Sequence, residues 1–159
     1  MPRTIMLLFV LAALAGSTGA RAQAVVPYGM PLGLDDAKKA AAAAEAEAKN
    51  ITPIPYVIAI VDPSGQLIYF ERMDNAQLGS VRVAIDKARS AALFRRPTKA
   101  FEDALGKGRT VILALRGAVP IEGGLPLVAG GKIVGAIGAS GGSGTQDGQV
   151  AKAGADTVK

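Results

Sequence analysis

The amino-acid sequence predicts an α+β domain in which helices pack on the faces of an antiparallel sheet. Two pairs of short apolar segments, each pair joined by turn-forming residues, predict two β-hairpins. Helical patterns come before, between and after these hairpins, in the order helix, hairpin, helix, short helix, hairpin, helix. This order is typical of the α+β class, and no internal repeat is evident.

The first half of the chain is predicted to hold a helix, a hairpin and a second helix. Asp35 or Asp36 stands at the start of an alanine-rich run of strong helix formers, and Asn50 can end that helix. The turn residues Asp62-Pro63-Ser64-Gly65 separate two apolar segments. The predicted ranges are 34–49 for the first helix, 56–61 and 66–71 for the two strands, and 78 or 80 to 94 for the second helix.

The second half is predicted to begin with a short helix over residues 99–105. Pro97 blocks continuation of the preceding helix, Thr98 caps the short one, and Gly106 ends it. Residues 110–115 fit either another strand or a buried helical turn. The remaining predicted elements are a hairpin with strands over 125–128 and 132–137, and a last helix over 146–158 that Thr145 caps.

The glycine-rich segment 138–144, between the last strand and the last helix, is a candidate binding site. Backbone N–H groups at a helix N-terminus point toward an anion, so a carboxylate or phosphate would suit this position. The alternative is that the glycines only allow a tight turn and close packing of a helix on the sheet. The segment is not a P-loop and does not keep the spacing of a dinucleotide-binding fingerprint.

Residues 1–22 are expected to be a secretory signal peptide. Arg3 gives a basic start, residues 5–15 are apolar, and the motif Ala20-Arg21-Ala22 predicts cleavage at its end. The apolar run is shorter than the roughly 20 residues that span a bilayer. We therefore expect a periplasmic or secreted protein without a membrane anchor, in which residues 23–159 form a single domain.

The composition excludes several kinds of chemistry. The chain has no cysteine, which excludes disulfides, thiolate metal sites and cysteine nucleophiles. It has no histidine, which excludes Ser-His-Asp triads and the commonest haem ligand. The formal net charge of +5 is modest, and the adjacent bases Lys38-Lys39 and Arg95-Arg96 are not interleaved with aromatic residues. Nucleic-acid binding is therefore not expected, and a solvated surface accounts for these charges.

Several short motifs, taken in order, resemble the GlcG/HbpS-like family. The resemblance covers nearly all of residues 23–159, and it implies a profilin-like α/β/α three-layer fold with a five-stranded antiparallel sheet. It also implies assembly into dimers or larger oligomers, and haem binding or haem degradation. The motifs are Val61-Asp62-Pro63-Ser64-Gly65, Phe70-Glu71-Arg72-Met73-Asp74, Asp86-Lys87-Ala88-Arg89-Ser90-Ala91, Arg96-Pro97-Thr98, Gly123-Gly124-Leu125-Pro126, and Val134 to Gly142 with Gln146-Asp147.

A haem protein without histidine or cysteine must use another axial ligand. Methionine and tyrosine also ligate haem iron, and the candidates are Tyr28, Met30, Tyr56, Tyr69 and Met73. Met73 follows a predicted strand, beside Arg72 and Asp74, where a ligand could be reached. A lone methionine more often packs in a core than ligates a metal.

The resemblance and the residue types together define a candidate site and two functions. Arg72, Lys87 and Arg89 could pair with haem propionates or with the carboxylate of a small substrate. Lys87 lies on a helix that must cover the sheet, so it could meet Asp74 or Asp147 as an acid/base pair or as a structural ion pair. The first function is haem or tetrapyrrole binding, and the alternative is a small-molecule lyase or isomerase that uses Lys87 with Asp74 or Asp147. The ligand-binding candidates are Arg72, Met73, Thr98, Gly124, Ser140, Gly141 and Gly142.

Overall fold

Four antiparallel strands form a single sheet in the computed structural model, which describes residues 25–159. The predicted signal peptide lies outside the described residues. The order across the sheet is β2-β1-β4-β3, so β1 and β4 are central and β2 and β3 form the edges. The strands are β1 (Val57–Val61), β2 (Leu67–Arg72), β3 (Gly124–Ala129) and β4 (Lys132–Ser140).

Helices cover both faces of this sheet and create three layers. The helices are α1 (Leu34–Ile51), α2 (Leu78–Phe94), α3 (Lys99–Gly106) and α4 (Gly144–Ala155), with a short 3₁₀-helix at Thr110–Ala114. The pair α1 and α4 packs on one face, whereas α2 packs on the other. The expected mixed α+β class and the helix-sheet-helix layering are therefore confirmed. Within the described part of the chain, no helix is long and apolar enough to cross a membrane.

Strand β1 supplies side chains to both halves of the core. Successive residues of a strand point to opposite faces, so Ile58 and Ile60 enter the core under α1 and α4, while Val57 and Val61 enter the core under α2. All five residues of β1 are fully buried. Burying an aliphatic side chain of this size contributes about 1.5–3 kcal/mol, which makes β1 the centre of the fold.

Small residues let the helices lie very close to the sheet and to each other. Helix α1 buries five alanines at 37, 40, 41, 44 and 48. A Cβ at Gly154 of α4 would lie 2.6 Å from the carbonyl oxygen of Ala40, and a Cβ at Gly138 of β4 would run into the carbonyl of Ala84 on α2. Both glycines are therefore places where another backbone comes too close for a side chain.

The expected fifth strand is absent from the described chain. The segment before α1 makes only an isolated parallel bridge from Tyr28 to Ile133, at the edge of β4 that β1 leaves free. Pro27 and Pro31 flank this bridge and have no N–H to donate, so the pairing cannot extend into a strand. Residues 110–115 were predicted as a strand or a buried helical turn, and the structure has the 3₁₀-helix Thr110–Ala114 there, in which only Ile112 is buried.

The boundary between β4 and α4 also differs from the prediction. Strand β4 continues through residues 138–140, because Gly138 pairs with Ala59 on one side and with Gly124 on the other. Helix α4 is capped by Ser143 instead of Thr145: its hydroxyl accepts from the Gln146 N–H at 3.3 Å, and the Gln146 side chain accepts from the Ser143 N–H at 3.0 Å. This capping box shortens the predicted glycine loop to Gly141 and Gly142.

Candidate functional site

Most of the predicted site residues lie at one end of the sheet, which we call the Ser140 end. Val57 at the start of β1 pairs with Arg72 at the end of β2 and with Ser140 at the end of β4. Gly124 at the start of β3 pairs with Gly138, two residues before that end. The antiparallel pairing therefore collects residues from four separate parts of the sequence.

A buried ion pair between Lys87 and Asp147 lies at this end. Lys87 Nζ is 2.6 Å from Asp147 Oδ2, and only 1% and 5% of the two side chains are exposed. Lys87 Nζ also donates to the carbonyl of Ala139 at 3.2 Å. Of the two carboxylates predicted to meet Lys87, the structure brings Asp147 to it and leaves Asp74 exposed in the turn after β2.

The backbone amides of the glycine segment also bind Asp147. Its second oxygen, Oδ1, accepts from the Gly142 N–H at 3.0 Å and from the Gly141 N–H at 3.2 Å. Asp147 lies in the first turn of α4, where the helix dipole favours a negative charge. The anion held by this strand-to-helix connection is thus the chain's own carboxylate.

Burial dominates the electrostatics of the pair. Burial raises the pKa of Asp147, and the hydrogen bond and charge of Lys87 offset only part of that rise. Tyr56 lies beside the carboxylate, and its hydroxyl is buried without a hydrogen-bond partner of acceptable geometry among residues 25–159. Burial, followed by the charge of Asp147, raises the pKa of Tyr56, so its hydroxyl stays protonated.

Two hydrogen bonds between Thr98 and Gly124 connect the start of α3 to the edge strand β3. The Thr98 hydroxyl accepts from the Gly124 N–H at 2.9 Å, and the Thr98 N–H donates to the Gly124 carbonyl at 3.0 Å. Thr98 occupies the N-cap position of α3, but its side chain makes no cap hydrogen bond. A Cβ at Gly124 would collide with the carbonyl of Lys87 and lie 2.7 Å from Thr98 Cγ2, so the glycine allows α2 to seat Lys87 over the sheet.

Arg72 and Met73, at the end of β2, have different environments. Met73 is half-buried, and its sulfur accepts from the Tyr56 N–H at 3.1 Å. Arg72 is exposed and makes no ion pair within the described residues. Ser140 is buried at the end of β4. Arg72 and Asp74 are therefore the predicted site residues at this end that are exposed to solvent.

The remaining haem-ligand candidates lie elsewhere. The Tyr28 hydroxyl donates to the carbonyls of Ala92 and Leu93 at the end of α2, at 3.0 and 3.1 Å. The Tyr69 hydroxyl donates to Glu71 at 3.2 Å. Met30 is 83% exposed before α1. Each tyrosine hydroxyl among these candidates is thus either hydrogen-bonded on the surface or, at Tyr56, enclosed in the core.

Sequence reasoning missed the part that Tyr56 plays at the Ser140 end. A tyrosine before a buried strand is expected to be a sheet residue, and the ring of Tyr56 does pack in the core. The signal that could have placed it was the pair Gly141-Gly142, since a Cβ at Gly141 would lie 2.9 Å from the Tyr56 ring and a Cβ at Gly142 would meet the Tyr56 hydroxyl. Two adjacent glycines after a strand can mark an aromatic ring lying against the backbone.

The fold and this site define a class of small three-layer protein. In this class Lys87 of α2, the helix on one face of the sheet, pairs with Asp147 at the start of α4. Residues 32–156 match the family described as "HbpS-like: Haem degrading protein HbpS-like". The chain belongs to this HbpS-like family, as the motif resemblance predicted.

Individual relatives show how far the similarity extends. Protein GlcG of Escherichia coli (strain K12) is 42% identical over 83 residues, which is 52% of this chain and 62% of that protein. The crystal structure of HbpS is 32% identical with a TM-score of 0.75, covering 82% of this chain and 92% of that one. The crystal structure of a PduOC:heme complex is 29% identical with a TM-score of 0.74, covering 82% of this chain and 96% of that one. The chain therefore spans less than two thirds of GlcG but nearly all of these two structures.

Proposed function

We propose that this chain is an exported protein that binds haem, or a related tetrapyrrole or small anionic ligand. The observation that carries the proposal is the similarity, over 82% of the chain, to a structure that holds heme. Family membership supports the same ligand class, because the family description names haem degradation. The proposal concerns binding, since Lys87 and Asp147, the predicted acid/base pair in contact, are almost fully buried.

The donor atoms of this chain suit the periphery of a tetrapyrrole better than its iron. Arg72 is exposed without an ion-pair partner among the described residues, so its guanidinium can pair with a propionate. The sulfur of Met73 is already a hydrogen-bond acceptor, and Tyr56 is enclosed. Because histidine and cysteine are absent, we propose weak binding with a methionine, tyrosine or water ligand.

The alternative function uses Lys87 and Asp147 as an acid/base pair in a lyase or isomerase. Their direct contact brings the predicted pair together, but both side chains are almost fully buried and bound to each other. An acid or base must come within hydrogen-bond reach of its substrate. The enclosure of this pair therefore favours a structural role, and Asp74 lies outside the contact.

A hemin titration of the purified protein, followed by visible spectroscopy, tests the binding proposal. We expect a saturable change in the Soret band without a bis-histidine signature. Met73→Leu keeps the packing but removes the sulfur, so it shifts the band if Met73 ligates the iron. Arg72→Ala should weaken the affinity by about fivefold through loss of one exposed charge pair, whereas Arg109→Ala should not. A titration without any saturable change would refute haem binding.

Export and self-association are separate parts of the proposal. Intact-mass measurement after expression in a Gram-negative host should give a chain that begins near residue 23. Light scattering should show more than one protomer, because apolar side chains of residues 111, 113, 115 and 121 are 44–67% exposed on one segment. An uncleaved chain in the membrane pellet, or a monomer at micromolar concentration, would overturn the respective part.

A further inference from the structure

Two adjoining clefts run beside the edge strand β3, away from the buried ion pair. Their volumes are about 420 and 400 Å³, and they share Val26, Arg95 and Pro97 as wall residues. Each volume lies within the range of about 300–1,000 Å³ that small-molecule sites occupy. The rest of the lining is mostly apolar and includes Leu93, Phe94, Ala100, Leu125, Pro126 and Val128.

Two adjacent guanidinium groups line these clefts, and the lining also includes one carboxylate, that of Asp156. Neither Arg95 nor Arg96 makes an ion pair within residues 25–159, while the cleft's third cation, Lys152, is paired with Asp156 at 2.6 Å. Arg95 lies over the Tyr28 ring at 5.1 Å and Arg96 over the Phe101 ring at 5.6 Å. Arg96 Nε also donates to the carbonyl of Phe94 at 3.1 Å. The contacts with the rings hold both groups at the cleft, and their terminal N–H donors can still bind an anion.

Arg95 has a backbone conformation that is usually occupied by glycine. Arg95 is the C-cap of α2 with φ +53° and ψ +39°, the left-handed conformation in which glycine is the usual residue. A side chain there costs stability that a glycine would not. Attraction to the helix dipole accounts for a cation near this end, but not for two arginines directed into the walls of a cleft.

We propose that these clefts bind an amphiphilic carboxylate, whose apolar body lies between the walls and whose carboxylates pair with Arg95 and Arg96. Apolar walls favour a ring system or an acyl chain, and the unpaired guanidinium forks favour carboxylates. A tetrapyrrole dicarboxylate and a long-chain fatty acid share this chemistry. For the tetrapyrrole the inference rests on the proposed function, whereas for the fatty acid it does not.

The first test uses three fluorescent probes on the wild-type protein. Metal-free protoporphyrin IX has two carboxylates and needs no axial ligand, its dimethyl ester lacks the charges, and dansyl-labelled undecanoic acid represents an acyl chain. We expect saturable binding of at least one free acid, and binding of the dimethyl ester that is about tenfold weaker than that of protoporphyrin. No binding of either free acid, or equal binding of acid and ester, would overturn the inference.

The second test uses variants matched in charge. Arg95→Gly removes the guanidinium and suits the left-handed backbone, and urea unfolding of the same variant separates a loss of binding from a loss of stability. We expect Arg95→Gly and Arg96→Gln each to weaken binding of the free acid about fivefold, the double variant at least about tenfold, and the exposed control Arg116→Gln not at all. Equal binding by wild type and the double variant, or an equal loss in Arg116→Gln, would refute the arginine site.

The two proposals fail in distinguishable ways. If hemin and protoporphyrin do not bind but the dansyl acid binds in an arginine-dependent manner, haem binding is wrong and the cleft inference stands. If the affinity for hemin depends on Arg72, and neither hemin nor either free acid depends on Arg95 and Arg96, the proposed function stands and the cleft inference is wrong.

Discussion

Helix α2 carries a lysine in its middle and an arginine at its end, and the two cations have opposite environments. Lys87 is 1% exposed, 2.6 Å from a carboxylate, and bonded to a backbone carbonyl. Arg95 is exposed, rests on an aromatic ring, and meets no carboxylate among the described residues. A buried charge must be paired to be tolerated, whereas an exposed charge can stay free for a ligand. Lys87 therefore has a structural role, whereas Arg95 is the cation that we propose to bind a ligand.

The largest effect should follow from breaking the buried pair. Lys87→Met should lower the free energy of unfolding by about 3 kcal/mol, because it leaves a buried carboxylate without its partner. Adding Asp147→Asn should recover most of this loss, since asparagine can still accept from the amides of Gly141 and Gly142. Urea unfolding at neutral pH measures both variants.

A surface pair provides the matched control for this prediction. Lys49 contacts Glu45 at 2.7 Å on α1, but 60% of its side chain is exposed. Lys49→Met should therefore cost less than about 0.5 kcal/mol. Equal losses at Lys87 and Lys49 would contradict the structural role of the buried pair.

A smaller loss is expected from Gly142→Ala. The added Cβ would meet the buried Tyr56 hydroxyl and lie 2.6 Å from Gln146 Oε1, so it should destabilise the fold by about 1–3 kcal/mol. Gly106→Ala is the control, because a Cβ there meets nothing within 4 Å. Thermal unfolding measures both variants. If Gly142 lies in a free loop, Gly142→Ala should be tolerated as well as Gly106→Ala.

Arg95→Gly should change the free energy of unfolding by less than about 1 kcal/mol. Relief of the left-handed backbone strain stabilises the fold, while loss of the contact with the Tyr28 ring opposes it by a similar amount. Urea unfolding should therefore separate this variant clearly from Lys87→Met on the same helix. A loss of several kcal/mol would show that Arg95 is a structural residue.

The smallest effect concerns the pH dependence of Asp147. Burial raises the pKa of this carboxyl above its ordinary value of 3.8, so its contribution to folded stability is complete below pH 3.8 and is lost as the pH rises through the raised pKa. Asp147→Asn should remove this component from the pH dependence of unfolding. A titration of the Asp147 carboxyl carbon by NMR gives the sign directly, and a midpoint below 3.8 would mean that Lys87 outweighs burial.

The elements with regular patterns were predictable from the sequence. The start of α1 at Leu34 and the end of α2 at Phe94 agree with the prediction, because capping residues and apolar periodicity are local signals. The end of β4 was not predictable, since three of the seven residues from Gly138 to Gly144 continue the strand. Glycines that allow another backbone to approach look the same in sequence as glycines that form a loop.

The candidate site was predictable in its residues but not in its contacts. The contact between Lys87 and Asp147 joins residues 60 positions apart, and periodicity could not choose between Asp147 and Asp74. Arg95-Arg96 was interpreted as a solvated pair, because a cleft wall has no local pattern. Strand pairing between distant segments determines both features, and one sequence does not encode that pairing as a short motif.

The contact of Gly154 on α4 with Ala40 on α1 has a consequence for biosynthesis. Helices α1 and α4 share one face of the sheet, so that half of the core cannot close until α4 has left the ribosome. At cellular synthesis rates the wait after α1 emerges is on the order of ten seconds. During that time the buried alanines of α1 lack their partner on α4.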